Sequence, residues 1–424
     1  MSAPDIACDV AVVGGGPAGA AAGAMLAQGG LNVLILEKEL FPRFCIGESL
    51  LPHGNDLLRE LGVWPKLEEA GFLKKYGAEF CSGDRSRFQR FWFSKNMGPS
   101  HEYSYQVDRA LFDKLLLDHA RDTGCMVKQE TRVLSLDNAG RERMSLRCRG
   151  AEGEFGVACR WVIDASGRNG FAGQRIGFRR RATQRGRRAA IYGHFAGVFR
   201  NSGKAEGHIT IVRLPNGWFW MIPLAGDRTS VGLVLPADQA RVSEGRTADT
   251  IFREAVEASA EVRCRMEGAS PLTTLNVTGD YSWKFSSFAG RRVVLTGDAA
   301  GFVDPIFSSG VMLALKSSMR ASALILRADR SRRSLTRLER WAYTREVSGW
   351  MNRYARMIRS FYDRAGFEVF MHPDPVFQIP GSIGRLVGGD VRPGFFDMLR
   401  LGAFHAICWV QHLVPIAPPI PFLR

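Results

Sequence analysis

With 424 residues, 46% of them hydrophobic and 23% charged, the chain is too long for one small core and too apolar for a disordered one, and it reads as a soluble globular protein of two or three interleaved domains. A formal net charge of +15 favours acidic partners through long-range attraction, whereas no RNA- or DNA-binding module accompanies it, which argues against nucleic acid. The eight cysteines follow no CxxC or regular spacing, so reduced thiols in the cytoplasm are expected rather than a disulfide framework or a zinc site.

The first residues, MSAPDIACDV, carry no charged-then-apolar export signal. DVAVV (9–13) predicts a buried strand that runs directly into GGGPAG, with Gly14, Gly16 and Gly19 in GxGxxG register. Pro17 and Ala18 open a small-residue helix that ends at Gly29–Gly30, and a second strand, NVLIL, delivers Glu37 at the spacing of about 20 residues that nucleotide folds use. This complete strand–turn–helix–strand–acid unit predicts a dinucleotide site. The glycines let backbone approach a pyrophosphate, the helix N-terminus offers free N–H groups, and Glu37 accepts from a ribose.

Beyond it, YSYQVDRALFDKLLLDHA (103–120) predicts a helix with Gln106 and Arg109 at its start, and WVIDASGRNG (161–170) a strand ending in a turn. The run RIGFRRRATQRGRR (175–188) reads as a solvated basic loop or as a dock for an acidic partner. In GWFWMIP (217–223), residues i and i+2 of a strand face the same way, so Trp218, Trp220 and Ile222 build one wall. GRRVVLTGDAAGFVDPIFSSGVMLALKSS (290–318) predicts a strand with Asp298 at its C-terminal end and a helix from about Gly310 or Val311. From about residue 331, apolar spacings of three and four predict helices, with Trp341, Trp350, Tyr354, Phe361 and Tyr362 mainly as core and lone histidines such as His194 and His372 as structural. The apolar tail, LGAFHAICWVQHLVPIAPPIPFLR, is interrupted by polar residues and prolines, so it is expected to pack on the body or a partner and no membrane span is expected.

Three of these segments, 103–120, 161–170 and 290–318, resemble motifs of the FAD-binding folds of aromatic hydroxylases, in which an aspartate at the Asp298 position holds the flavin ribityl chain. Four others, in chain order, resemble signatures of flavin-dependent halogenases of the phenol and pyrrole type. GESLLP, within 41–52, resembles their GES-L-P stretch. Lys75-Tyr76-Gly77-Ala78-Glu79-Phe80 follows their K-x-(Gly/Ala)-x-x-Phe pattern. GWFWMIP follows GWxWxIP, and FVDPIFSSG (302–310) follows F-x-x-P-x-x-S-x-G.

The resemblance implies an α/β, FAD-binding doubly wound fold of the aromatic-hydroxylase type, with an inserted β-sheet substrate domain and a helical C-terminal region. The expected divisions are 1–75, 105–190 and 288–330 for the FAD domain, 76–104 and 191–287 for the substrate-side sheet, and 331–424 for the helical region. It implies FAD contacts from Gly14, Gly16, Pro17, Ala18, Gly19, Glu37, Lys38, Arg43, Ser49, Gln106, Arg109, Asp298, Pro305, Gly310 and Val311. A separate flavin reductase is expected to supply the reduced cofactor. The implied reaction takes O2 and chloride or bromide, the halide held by the N–H groups of Ser309 and Gly310, and makes hypohalous acid. Trp218 and Trp220 would then separate flavin from substrate, and Lys75 would either hydrogen-bond the oxidant or be chlorinated by it. Halogenases of free tryptophan carry a glutamate where this chain has Phe307, which turns the expectation toward an electron-rich phenol or pyrrole, possibly on an acidic acyl carrier protein. An aromatic monooxygenase or reductase on the same fold, and a flavoprotein scaffold without turnover, are the alternatives.

Overall fold

In the computed structural model, which describes residues 5–137, 143–183, 186–243, 245–280, 282–372 and 378–423, the chain starts at the centre of a parallel sheet. Strand Ile6–Val13 pairs in parallel with Val33–Leu36 on one side and Gly153–Asp164 on the other. Its buried run Val10-Ala11-Val12-Val13 is what a strand covered on both faces requires. Met126–Lys128 and Val293–Leu295 extend the parallel set, and Met144–Gly150 and Arg132–Asp137 add an antiparallel edge. Helix Pro17–Gln28 lies on this sheet. Its alanines let helix Gly310–Arg330 approach so closely that the Ser322 hydroxyl donates to the Ala22 carbonyl at 3.3 Å.

A second, larger sheet is assembled from distant pieces of sequence. Across it run Asn276–Asp280, Arg188–Ala196, Arg228–Pro236, Trp218–Leu224, Ile209–Arg213, Gly77–Ser82 and Phe88–Trp92. Registry aligns Phe80, Ile211, Trp220, Gly232 and Tyr192 in one row across the strands. Paired residues share a face, and the two faces belong to two separate cores. Phe80, Ile211, Trp218, Trp220 and Ile222 join the core that runs into the nucleotide-binding sheet. Phe219, Met221 and Val212 point the other way, onto helices Ala248–Glu257 and Ala260–Met266 through Ile251, Phe252 and Val262. The alternation expected of GWFWMIP is therefore present.

Helix Arg337–Tyr362 opens with a reciprocal capping box between Thr336 and Glu339 and buries Trp350, Tyr354 and Phe361, whereas Trp341 is 55% exposed. Helices Arg364–Phe370, Ile379–Val387 and Phe395–Val410 follow. The tail folds back on the body. The Gln411 amide donates to Glu368 and to the Ala417 carbonyl, while its oxygen accepts from the Ile416 and Ala417 N–H groups.

The basic run 175–188 is largely exposed, as a solvated segment should be, but part of it is a strand. Arg180–Ala182 pairs with Trp283–Phe285, the Arg180 guanidinium lies 3.8 Å over Trp283, and Arg188 lies 3.7 Å over Tyr362. Planar guanidinium groups stack on rings at little desolvation cost. Gln184 and Arg185 of this run lie outside the described residues.

Candidate active site

The glycine-rich turn is shaped for close approach. Gly14 has φ +105°, and a Cβ there would meet the Ala165 carbonyl oxygen at 2.4 Å. At Gly16 the space is open apart from the Arg43 guanidinium tip, 3.4 Å from where a Cβ would stand. No side chain caps helix Pro17–Gln28, so its first N–H groups, those of Ala18 and Gly19 among them, are free for an anion. Glu37 is buried and braces the turn, accepting from the Gly15 N–H at 2.6 Å and from the Glu39 N–H at 2.9 Å. Asp298 stands in the Gly297–Ala299 turn, where a Gly297 Cβ would touch Ala18. Its carboxylate makes no hydrogen bond among the described residues, and loss of hydration raises its pKa to about 6. A narrow uncapped helix start and an unpartnered carboxylate beside it fit the phosphates and hydroxyls of FAD.

Arg43 reaches Asp113 at 3.0 Å and Glu39 at 3.2 Å, and Lys38 stays at the surface beside Glu39. Arg109 is buried, paired twice with Asp113, and donates to the Ile46 carbonyl at 2.6 Å. It thereby fastens the helix start to the loop that leads into GES. Gln106 is turned into the protein, donating to the Gly207 carbonyl at 2.9 Å while its Oε1 has no partner.

The short strand Ser104–Gln106 is the joint of the site. Leu73–Lys75 pairs along it in antiparallel register, and the GES loop is laid beside it through a Ser49–Gln106 bridge and the Leu50 N–H to Tyr105 carbonyl bond. Strand alternation leaves Lys74 exposed over the Tyr103 ring and Lys75 buried, 1% exposed. The Lys75 ammonium donates to Ser49 Oγ at 2.8 Å and to the Leu50 carbonyl at 3.0 Å, and faces the Phe93 ring at 5.4 Å. Burial lowers its pKa from 10.5 to about 7. Glu48 of the same loop accepts from His194 at 2.7 Å, so a histidine expected to be merely structural pins the GES segment to the second sheet.

The two indoles stand 5.9 Å apart on the inward face. Trp220 donates to Ser230 Oγ at 3.1 Å and packs against Gly232, its partner on the neighbouring strand. A Cβ at Gly232 would be 2.1 Å from the Trp220 ring, so glycine there makes room for the indole. The Trp218 Nε1–H donates to the Tyr362 hydroxyl at 2.7 Å, and that hydroxyl donates to Asp304 Oδ2 at 2.8 Å. Asp304 also accepts from the Ile306 N–H at 3.2 Å. Burial raises the Asp304 pKa. A continuous chain of hydrogen bonds thus ties the tryptophan wall to the Pro305–Phe307 turn through a residue of the C-terminal helical region.

That turn leads through Ser308, at φ +55°, to Ser309 and the start of helix Gly310–Arg330. No side chain caps this helix either. Gly310 and Pro305 are exposed, Ser309 and Val311 are buried, and a Cβ at Gly310 would meet nothing within 4 Å. Phe307 sits among aromatic rings, 5.9 Å from Phe80 and 6.1 Å from Phe361.

Gly232, Tyr362, Asp304 and His194 were not singled out for the site from sequence. A glycine inside the strand TSVGLVLP was the only local signal among them, since it marks a close approach. The other contacts join residues more than 50 positions apart.

Comparison with known proteins identifies the family and the fold. An FAD-binding-domain family profile matches residues 7–351. A 1H-pyrrole-2-carbonyl-[peptidyl-carrier protein] chlorinase of Pseudomonas fluorescens is 32% identical over 413 residues, covering 91% of this chain and 90% of its own. A flavoprotein/dehydrogenase from Cytophaga hutchinsonii superposes with a TM-score of 0.86 at 27% identity, covering 96% of this chain and 99% of that one. The flavin-dependent brominase Bmp2 superposes at 0.83 with 27% identity, covering 94% and 98%. Among the described residues no helix is long and apolar enough to cross a membrane. With an FAD-binding fold along most of its length and a relative this similar end to end, the chain belongs to the flavin-dependent halogenases, enzymes of the oxidoreductase class.

Proposed function

We propose that the chain uses reduced FAD, O2 and chloride or bromide to make hypohalous acid, and with it halogenates an electron-rich phenol or pyrrole carried on an acyl carrier protein. When bound, reduced FAD supplies the two electrons that convert O2 and halide to hypohalous acid and water; a separate flavin reductase provides it. Everything else falls to the protein. The open turn at Gly16, with Arg43 above it and Asp298 beside it, binds the cofactor. The uncapped N–H groups at Ser309 and Gly310 attract the halide. Trp218 and Trp220 keep the organic ring away from the flavin and exclude water from the path of the oxidant.

One observation carries the reading: Lys75 is buried with two of its three N–H bonds already satisfied by Ser49 and Leu50. The third is free to donate to hypohalous acid, polarising the halogen toward the substrate ring. The facing Phe93 ring favours the ammonium form in that role. Substitution then replaces ring hydrogen by halogen and releases water. Phe307 packs among Phe80, Phe361 and Phe370, so its own position offers no carboxylate to take the ring proton, which suits rings that donate electrons strongly. The carrier is supported by the carrier-bound substrate of the chlorinase relative and by the +15 charge.

The test is turnover with FAD, NADH, a flavin reductase and either halide, offering phenols and pyrrole-2-carboxyl groups both free and carrier-bound, with products read by mass spectrometry. Halide-dependent mass gain on the carrier-bound ring is expected. Hydroxylation independent of halide would overturn the proposal and return the chain to flavin monooxygenase chemistry.

A further inference from the structure

Helix Phe395–Val410 buries only Phe404 and Cys408 of its 16 residues. On its other side Phe395, Phe396, Met398, Leu399 and Trp409, with Leu413 just beyond, are 49–70% exposed. Every exposed residue of the helix is apolar, Gly402, Ala403 and Ala406 at its middle included. Its one acidic residue, Asp397, is turned aside into ion pairs with Arg385 and Arg400, and His405 is turned toward Ser360. A helix whose exposed face is wholly apolar over this length marks an interface.

We infer that this face is where a second copy of the chain docks, the two helices crossing antiparallel about a twofold axis near Ala403. Area supports it. The six large side chains expose roughly 750 Å² when their fractions are scaled by side-chain size, above the 300–600 Å² patch of an ordinary monomer and close to the ~800 Å² per partner of a stable interface. Shape supports it too. Large groups at both ends and small ones in the middle make the face complementary to itself: Phe395 and Phe396 of one copy meet Trp409 and Leu413 of the other, and the small centre lets the backbones approach. An acidic carrier or an anionic headgroup would find no cation among the exposed residues of this helix, so the copy is the better occupant. The inference does not depend on the reaction.

Sedimentation velocity of the FAD-loaded full chain at micromolar concentration is expected to give a dimer. Ala403→Glu with Ala406→Glu should raise its dissociation constant by at least about 100-fold, because like charges then face each other across the axis. Flavin content should be unchanged, since both positions are exposed, and the melting transition should fall only by the concentration-dependent part that dimerisation contributes. In a Cys264→Ser background, Ala403→Cys should give an intermolecular disulfide under mild oxidation, as the axis brings that residue beside its own copy. A wild-type monomer, or a dimer that the glutamates leave intact, would overturn the inference. So would a monomer that binds anionic vesicles or a carrier protein through this face.

Discussion

Lys75→Met is the sharpest probe of the site, because it separates stability from chemistry. Lowering the lysine pKa from 10.5 to about 7 corresponds to roughly 5 kcal/mol of unfavourable charge burial. Between these pH values the unfolded chain holds a proton that the folded chain has lost, so stability rises with pH across that window. At pH 7 and below nearly the whole cost is present; above 10.5 it is gone. Methionine removes the charge but leaves Ser49 Oγ and the Leu50 carbonyl without a donor, at about 1–2 kcal/mol each. The variant is therefore expected to be more stable than wild type by about 1–3 kcal/mol at pH 6.5, a rise of a few degrees, and to lose that advantage by pH 9.5. Thermal unfolding of the FAD-loaded proteins at the two pH values measures it. The variant should still bind FAD and consume O2 yet yield no halogenated product. Wild-type product formation should fall as pH rises through about 7, because the ammonium is the donor; a rise instead would favour the free amine attacked by the oxidant. Wild-type yield from Lys75→Met, or a stability difference of the same size at both pH values, would refute the reasoning.

Gly16→Val should leave the purified protein without flavin absorbance, because the side chain fills the space under Arg43 where a pyrophosphate would lie. Gly232→Val puts a carbon about where the Trp220 ring lies; a stability loss of about 1–3 kcal/mol is expected in denaturant titration, with a several-fold fall in halogenated product per O2 consumed at full flavin occupancy. Tyr362→Phe removes the acceptor of Trp218 and the donor to Asp304. It should cost about 1–3 kcal/mol and shift tryptophan fluorescence, while lowering product per O2 more than the rate of O2 consumption. Arg179→Glu with Arg181→Glu should raise KM for a carrier-bound ring about 5- to 10-fold, an effect that salt diminishes, and leave a free ring unaffected. Arg180 is left alone because it stacks on Trp283.

What could be read in advance follows the distance over which the chemistry acts. The nucleotide turn is legible because strand, glycines, helix and acid are all local. The tryptophan wall is legible because a strand has period two, which put Trp218 and Trp220 in one core and Phe219 in the other. Lys75 differs from Lys74 only by that alternation and by its motif; its burial and its bonds to the GES loop need a third strand, Ser104–Gln106, lying between them. The basic run is exposed, as its charge predicts; what could not be read was its pairing with Trp283–Phe285 and the stacking of Arg180 and Arg188 on Trp283 and Tyr362, which are distant in sequence.

Tyr362 was the least legible of all, one aromatic in a helix whose neighbours are core. Its hydroxyl joins Trp218 to Asp304 across 144 and 58 positions. The consequence is mechanical. Asp304 braces the turn that leads to Ser309 and Gly310, so the orientation of the indole and the aim of the helix N–H groups are set by the same hydroxyl. If the wall passes a small oxidant and stops a ring, as proposed, it tolerates little tilt, and a buried O–H···carboxylate bond resists tilt more strongly than packing against a ring does. Loss of one oxygen atom from Tyr362 should therefore loosen the indole wall and the Pro305–Phe307 turn together, which independent packing of the two would not produce.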